Sequence, residues 1–363
     1  MNSPRARRAL LASVLMATGA AAFVTVLLLV PRPGLYSRNG RVMNTGFSAR
    51  ALFFESAADR APFFGRATER AAGALDAAFS EARRVEGLMS RFLPASDISR
   101  LCAAPPGTPV RVAPETLRVL SMSGDIHRRS GGAFDVTVGP LVALYKYTGR
   151  EEKRLPTDAE IAATLEHVGC DKLRLEAGTQ TARLDVAGMA VDLSAVAKGF
   201  AVDQALEELR AHGAHAGLVE IGGEVRAFGT KPGNKPWRVG IQHPRSGGLM
   251  GSLELRDAAM ATSGDYRKFF RKGGRRASHI VDPRTGRPLV GGAVSVTVLA
   301  PTCALADGLA TAISVLGPAE GLKLVQSYRT EGKVVEALII EETAGGKLVP
   351  HASPGLRNLQ LDL

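Results

Sequence analysis

Helical spacing of apolar residues predicts five helices. In each segment, apolar or small residues recur every three or four positions and therefore line one face. Pro114 is favoured in a first helical turn, and Ser194 is expected to be the N-cap of a later helix. Thr157 and Glu160 form a capping-box pattern. The predicted helices cover about 66–90, 114–129, 158–168, 195–211 and 304–316.

Short apolar stretches bounded by glycine, proline and polar residues predict strands. They lie at about 172–176, 182–186, 189–193, 217–221, 224–228, 237–242, 251–256, 258–262 and 293–300, with a long hairpin over 265–281. Helices and antiparallel-type strands occur without a regular βαβ alternation. The pattern therefore predicts an α+β fold with mixed or antiparallel sheets and packed helices.

The N-terminal segment follows a different pattern. Ala9 to Val30 is uncharged, is preceded by three arginines, and as a helix is long enough to cross a hydrocarbon core of about 30 Å. We expect a single anchor in the inner membrane, with the following chain in the periplasm or another extracytoplasmic space. A cleavable signal is the alternative, because Ala20-Ala21-Ala22 offers small residues to a peptidase. Polar residues 31–42 are expected to connect this segment to one domain over 43–363.

The net charge of +11 is concentrated in two places. The first 54 residues contain seven arginines and no acidic residue, and residues 267–276 add six positive charges at a predicted hairpin tip. The remainder is close to neutral, which disfavours a nucleic-acid-binding or other polyanion-binding surface. The basic tip is either a solvated turn or a contact for an anion or partner.

Common signatures of nucleotide and metal sites are missing from the sequence. It contains no Walker motif, no G-x-G-x-x-G between a strand and a helix, and no H-E-x-x-H. The three cysteines, Cys102, Cys170 and Cys303, have no metal-ligand spacing, so single thiols or one disulfide remain open.

Three segments place reactive side chains where packing does not require them. Lys198 lies in the first turn of a predicted helix, where its charge opposes the helix dipole. Asp307 and Thr311 lie four residues apart on one helical face and offer oxygen ligands of the kind that Mg²⁺ prefers. His279, in a strand leading into a Pro/Gly turn, is a candidate general base. An ordinary structural role is the alternative for each.

Taken together, ordered blocks between about Met43 and Leu316 resemble the ApbE family of FAD:protein FMN transferases. The blocks are 89–92 with 96–100, 132–135 with 137–141, 192–199, 222–223, 237–241, 262–266, 279–286 and 307–311. Each block is short, but their number and order make the resemblance specific.

The resemblance implies a cleft between sub-domains that binds FAD, with Mg²⁺ at its pyrophosphate. FMN would be transferred to a threonine hydroxyl of an acceptor protein, and AMP would be released. We expect this acceptor to be a membrane-associated electron-transfer subunit that faces the same compartment. It implies that the Ala195 carbonyl, Asp307 and Thr311 ligate the metal and that His279 is the base. The implied flavin or nucleotide contacts are Met43, Phe92, Ala133, Phe134, Asp135, Asp192, Lys198 and Val281.

Three positions depart from the family pattern, and nothing is drawn from one of them, Val136, where proline is common. Asn44 stands where glycine is usual, and Phe92 replaces a frequent tyrosine and so lacks its hydroxyl. The change at Phe92 bears on the balance between transfer and hydrolysis. A Mg²⁺-dependent FAD pyrophosphatase and a non-catalytic flavin carrier are therefore retained as alternatives.

Overall fold

The structure, a computed structural model, describes residues 32–55, 66–145, 156–264, 269–272 and 275–363, without the side chains of residue 66 and of 269–277. The expected anchor at 9–30 and the side chains of the basic segment 267–276 lie outside this description. The helices are α1 (Arg66–Met89), α2 (Asp97–Ala103), α3 (Pro114–Arg129), α4 (Gly139–Tyr145), α5 (Asp158–Leu165), α6 (Ala197–Ala211) and α7 (Cys303–Thr330).

The strands form one large antiparallel sheet and three small sheets, which confirms the α+β prediction. The eight strands of the large sheet are, in spatial order, β1 (Arg32–Val42), β2 (Thr45–Glu55), β6 (Ala216–Ile221), β7 (Glu224–Phe228), β10 (Ala258–Gly264), β14 (Gly292–Ala300), β15 (Glu336–Glu342) and β16 (Leu348–Ala352). The small sheets contain β3 (Val110–Arg111), β5 (Thr181–Leu184) and β4 (Leu173–Glu176); β11 (Phe269–Lys272), β12 (Arg275–Asp282) and β13 (Arg287–Val290); and β8 (Trp237–Gln242) with β9 (Leu249–Leu255).

Helices α1, α6 and α7 cover one face of the large sheet and enclose the main core. Helix α1 contributes a buried stripe at intervals of three and four residues, made mostly of alanine: Ala67, Ala71, Ala74, Ala78, Ala82, Val85 and Met89. Because alanine has a small side chain, this stripe allows close approach to α6 and to strands β1 and β2. The β8–β9 hairpin packs on the opposite face, over a second core that includes Trp237 and Met250.

The predicted connector at 31–42 is wrong in its secondary structure, because Arg32–Val42 forms edge strand β1 and pairs with β2 along its whole length. Most of its residues are exposed or half-buried, and Pro33 and two glycines interrupt the pattern, as is typical of edge strands. Met43 and Asn44 close the hairpin with φ of 51° and 59°. Both angles are positive, as in the favoured two-residue turn, and asparagine tolerates this region better than most residues.

The helix predictions over 66–90 and 114–129 are confirmed to within one residue, and the Thr157 capping box is present. The expected strand at 189–193 is not one; Ala190 forms only an isolated parallel bridge with Val138. Ser194 is not an N-cap either, because α6 begins at Ala197 after Val196, which provides no side-chain cap. A tight turn occupies the residues in between.

Helix α7 extends well beyond the predicted end at 316 and has a break at Gly317, where φ is 75° and Pro318 follows. Within the described residues, α7 is the one helix long and apolar enough to span a membrane by composition, yet half of its most apolar window is buried against the protein. It is therefore a core helix. The strands β15 and β16, for which the sequence pattern provided no prediction, complete the sheet after it.

Helices α6 and α7 approach closely at Gly199. A β-carbon at this position would lie 2.4 Å from the carbonyl oxygen of Cys303 and 2.8 Å from the α-carbon of Ala304. Both atoms belong to the backbone and cannot be moved by a change of side-chain rotamer. Glycine at position 199 therefore sets the separation of the two helices.

Gly199→Ala is expected to destabilise the protein by about 3 kcal/mol, since it overpacks a backbone contact. Gly73→Ala provides the matched control, because Gly73 is an exposed helical glycine with no neighbour within 4 Å of an added β-carbon. It should stabilise by about 0.5–1 kcal/mol. Urea unfolding measures both, and equal stability of the Gly199 variant and wild type would contradict the packing argument.

Candidate active site

Lys198 lies where the start of α6 meets α7, among three oxygens. Its ammonium donates to the Ser194 carbonyl at 3.2 Å and lies 3.1 Å from Glu224 Oε1 and 3.3 Å from Asp307 Oδ2. Burial disfavours the charged form, but the two carboxylates outweigh it and raise the pKa of Lys198 above its ordinary value. The carboxylates therefore explain a lysine in the first turn of a helix.

The turn before α6 is held by its own backbone and by Asp192. Asp192 Oδ1 accepts a hydrogen bond from the Ser194 N–H at 2.9 Å, an Asx-type turn. The N–H groups of Val196 and Ala197 both donate to the Leu193 carbonyl, at 3.0 and 2.8 Å. These bonds define the backbone on which Ala195 and Lys198 are presented.

The Ala195 carbonyl remains available for another partner. In a regular helix the Gly199 N–H would donate to it, but here that N–H donates to Asp307 Oδ2 at 3.1 Å. No residue that the structure describes donates a hydrogen bond to the Ala195 carbonyl. A main-chain oxygen is thus left free beside the Asp307 carboxylate.

Asp203 of α6 fixes the start of α7. Its two carboxylate oxygens accept hydrogen bonds from the N–H groups of Cys303 and Ala304, at 2.8 and 2.9 Å, and Arg226 lies 3.2 Å away. Burial raises the pKa of Asp203 to about 6, against the opposing effect of Arg226 and the two N–H donors. A side chain of one helix thus caps the other, which holds Asp307 opposite Lys198.

Glu224 is the site residue that the sequence analysis missed. It opens β7 directly after the Gly222-Gly223 turn and is only 4% exposed. Its Oε1 pairs with Lys198, whereas its Oε2 is buried with no hydrogen-bond partner among the described residues. Burial raises the pKa of Glu224, and the Lys198 ammonium opposes that effect. A carboxylate at the start of a strand, directly after a Gly-Gly turn, was the available signal.

Thr311 lies one turn after Asp307 on α7, and its hydroxyl is 3.4 Å from that of Ser263 on β10. Asp307 is 3% exposed and Thr311 is half-buried. The predicted carboxylate and hydroxyl therefore come from one helix, while the loop before α6 supplies the Ala195 carbonyl. The structure brings these elements to the same end of the sheet.

The chemistry of these donors fits a magnesium ion. A carboxylate, a hydroxyl and a main-chain carbonyl are the hard oxygen ligands that Mg²⁺ takes, with water and phosphate oxygens completing the octahedron. A cationic group, the Lys198 ammonium, already lies against Asp307. Ala195, Asp307 and Thr311 are therefore suited to hold the ion.

Asp192 and Phe92 form the adjacent part of the site. Asp192 is buried and its Oδ2 lies 3.4 Å from Arg91 Nε. The Arg91 guanidinium lies over the Phe92 ring, 4.7 Å from its centroid, and this ring is 67% exposed. An exposed aromatic face backed by a cation is suitable for stacking on a flavin or adenine ring.

Met43 lies at the same end of the large sheet as Glu224. The β1–β2 turn that contains Met43 is next to the β6–β7 turn, because the Gly222 N–H donates to the Gly46 carbonyl at 3.1 Å. A β-carbon at Gly222 would lie 2.9 Å from Thr45. The side chain of Met43 is partly buried against the main core.

Ala133, Phe134 and Asp135 have partners inside the protein. The side chains of Ala133 and Phe134 are buried, and a β-carbon at Gly308, the residue after Asp307, would lie 3.7 Å from the Phe134 ring. The Phe134 N–H donates to Ser130 Oγ at 3.1 Å. The Phe134 ring thus packs near Gly308 of α7, and the role of all three residues as flavin contacts stays a prediction.

His127, Asp135 and Cys170 form the one cluster of three or more histidine, cysteine and carboxylate side chains, in the described part of the chain, whose ligand atoms lie close enough together to hold a metal. Asp135 Oδ1 accepts from the N–H and hydroxyl of Thr137 and from the Cys170 thiol, and Oδ2 accepts from the Cys170 N–H at 3.0 Å. His127 Nδ1 lies 3.3 Å from Oδ2. Protein donors thus satisfy this carboxylate, which indicates a structural network.

His279 and Val281 lie on β12, which packs against α7. The pairing of β12 with β13 is irregular between Ala277 and Val281, so His279 lies within a bulge, a common device for directing a side chain. His279 is half-buried. Val281 is buried in a small cluster with Leu141 and Val168. The role of Val281 as a flavin contact and the role of His279 as the base stay predictions.

The three cysteines are free. Cys303 is buried at the start of α7, and the other two are half-buried. The disulfide alternative is therefore not realised in this structure.

Two solved structures similar to this chain are flavin transferases. The flavin transferase ApbE from Vibrio cholerae superposes with a TM-score of 0.74 at 31% identity, over 91% of this chain and 100% of that one. The Pseudomonas stutzeri flavinyl transferase ApbE, in its apo form, gives 0.77 at 29% identity, over 92% and 98%. Fold and site therefore define the class of flavin transferases.

The sequence comparisons agree with this class. The ApbE family profile matches residues 43–338. The FAD:protein FMN transferase of Vibrio cholerae is 38% identical over 266 residues, which is 72% of this chain and 77% of the relative. The chain belongs to the ApbE family, as its ordered sequence blocks predicted.

The His127–Asp135 pair has a testable pH dependence. The hydrogen bond from His127 to Asp135 raises the pKa of His127 despite its partial burial. A histidine with a raised folded-state pKa contributes stability below its unfolded pKa of about 6.5 and loses it as the pH rises through the folded value. His127→Gln should therefore cost more stability at pH 5.5 than at pH 8.5, as measured by urea unfolding. An equal cost at both pH values would contradict the ion pair.

Proposed function

We propose that this protein transfers FMN from FAD to a threonine hydroxyl of an acceptor protein, with Mg²⁺ bound and with release of AMP. Membership of the ApbE family supports the reaction class. The observation that carries the assignment to this site is the pairing of Lys198 with the buried carboxylates of Asp307 and Glu224, in the same turn region as the Ala195 carbonyl, to which no described residue donates. Such a concentration of charge within a core has a cost that packing alone does not recover.

In the proposed reaction the acceptor oxygen attacks the phosphorus on the FMN side of the pyrophosphate. A new P–O bond forms, and the P–O bond to AMP breaks with the electron pair leaving on the AMP phosphate. The bound metal supplies positive charge that neutralises the phosphate oxygens. Asp307, Thr311 and the Ala195 carbonyl hold it, and His279 takes the hydroxyl proton.

The remaining residues bind and orient the nucleotide. Lys198 is the cation that would neutralise the phosphates, and the turn stabilised by Asp192 presents it. Phe92 offers its exposed ring for stacking, with Arg91 behind it. Met43 is at the end of the sheet where β7 and Glu224 begin. These positions together describe a cleft that would bind an extended dinucleotide.

The acceptor reaction is tested by incubating the full chain with FAD, Mg²⁺ and a threonine-containing acceptor and following the acceptor mass. We expect the mass to increase by one FMN unit. Asp307→Asn should lower the rate by at least about 10²-fold, because it removes the charge that holds the metal. Lys323→Gln, at an exposed position late on α7, is the control and should retain the rate.

The same assay separates the alternatives. Free FMN with an unmodified acceptor would replace the transferase proposal by the pyrophosphatase, and unchanged FAD would indicate a flavin carrier. Phe92→Tyr restores the hydroxyl that is frequent in the family. Should Phe92 set the balance with hydrolysis, this variant will change the ratio of free FMN to modified acceptor.

We also propose that residues 9–30 anchor the protein in the inner membrane with its catalytic domain in the periplasm, where the acceptor is a membrane-associated electron-transfer subunit. The uncharged segment after three arginines supports this. Cell fractionation should recover the full chain with membranes, at its uncleaved mass. A chain that starts at residue 31 or close to it in the soluble fraction would instead indicate a cleaved signal.

A further inference from the structure

The Lys198 ammonium is surrounded by oxygens of the protein. An ammonium has three N–H donors and no acceptor. It donates to the Ser194 carbonyl and to Asp307 at 3.2 and 3.3 Å, and it forms an ion pair with Glu224 at 3.1 Å. Protein carboxylates therefore already compensate its charge. Lys198 must give up one of these contacts before it can bind closely to the phosphates of the flavin nucleotide.

Binding of a metal to Asp307 would break the ion pair between Asp307 and Lys198. The Asp307 oxygen that faces Lys198 also accepts from the Gly199 N–H, so its environment is already crowded with donors. Two like charges held against one carboxylate at the edge of a core repel each other, because water screens them poorly there. A divalent cation and the ammonium therefore compete for the same carboxylate.

Glu224 provides a place for the displaced ammonium. Its Oε1 already pairs with Lys198, and its Oε2 is buried without a partner among the described residues. A carboxylate can accept several hydrogen bonds at both oxygens. Lys198 can thus exchange its bond to Asp307 for closer pairing with Glu224 without leaving the site.

We propose that Lys198 is a movable cation which neutralises Asp307 in the metal-free protein, and that Glu224 is the positioning residue which retains it when a divalent cation takes Asp307. This inference rests on the metal assignment of the proposed function. The transfer would leave one ammonium donor directed to the flavin pyrophosphate. Metal binding and nucleotide binding are then coupled through one lysine, and Glu224 acts on the metal through that lysine.

The first test measures Mg²⁺ binding to the full chain by calorimetry without FAD. Lys198→Met removes the competing charge and should bind Mg²⁺ about tenfold more tightly than wild type. Lys198→Arg keeps the charge and should show no such gain. Weaker or unchanged binding by Lys198→Met would overturn the competition.

The second test is a double-mutant cycle. Glu224→Gln confines Lys198 to Asp307 and should weaken Mg²⁺ binding several-fold, but in the Lys198→Met background the same change should have little effect. An equal weakening in both backgrounds would show that Glu224 acts on the metal by its own charge and would overturn the positioning role. Glu220→Gln is the matched control. Glu220 lies four residues before Glu224, and its side chain points toward the opposite face of the sheet. The affinity of this variant for Mg²⁺ should equal that of wild type.

Circular dichroism and thermal unfolding would establish that each variant is folded. Lys198→Met leaves two buried carboxylates without their cation, which can destabilise the fold. The double variant, Lys198→Met with Glu224→Gln, removes one of these charges and so provides a folded alternative. The absence of Mg²⁺ binding in wild type and all variants would overturn both this inference and the metal assignment. Transfer to an acceptor without the predicted binding changes would overturn the inference alone.

Discussion

The pairing of Lys198 with Asp307 and Glu224 depends on how closely α6 and α7 approach each other. Gly199 permits the contact because any side chain would meet the backbone of Cys303. Asp203 then joins the helices by accepting from the first N–H groups of α7. Three buried carboxylates, those of Asp203, Glu224 and Asp307, thereby lie close to one half-buried lysine. Each of these charges alone would be costly to bury, and the pairing of opposite charges offsets that cost.

The large sheet determines which residues can reach this pair. Its antiparallel order brings three features to one end: the β1–β2 turn with Met43, the β6–β7 turn before Glu224, and the end of β10 with Ser263. Helix α6 starts at this end, whereas α7 starts at the other and carries Asp307 and Thr311 back toward it. The site is thus a junction of turns and helix faces around a rigid sheet, as is common for sites built on scaffolds of regular structure.

Much of the fold follows from local patterns. The alanine stripe of α1, the proline at the start of α3 and the capping box of α5 are short-range signals, and the corresponding helices were predicted correctly. Edge strand β1 was missed because its exposed alternation resembles a polar linker. The false N-cap at Ser194 arose because its N–H is held by Asp192, so that the chain makes a turn where the sequence indicated a helix start.

The sequence by itself determined the class of chemistry: a carboxylate and a hydroxyl four residues apart, a lysine in a first helical turn, and a set of ordered blocks typical of one family. Helical periodicity and short motifs are local properties, so they can be read without coordinates. Only the tertiary structure decided which charges face one another. Glu224 and Asp203 are separated from Asp307 by 83 and 104 positions in the numbering, and they meet it or its helix only because the sheet and the close helix crossing fold them together. Burial then decides which of their oxygens are satisfied, and leaves Glu224 Oε2 and the Ala195 carbonyl for other partners.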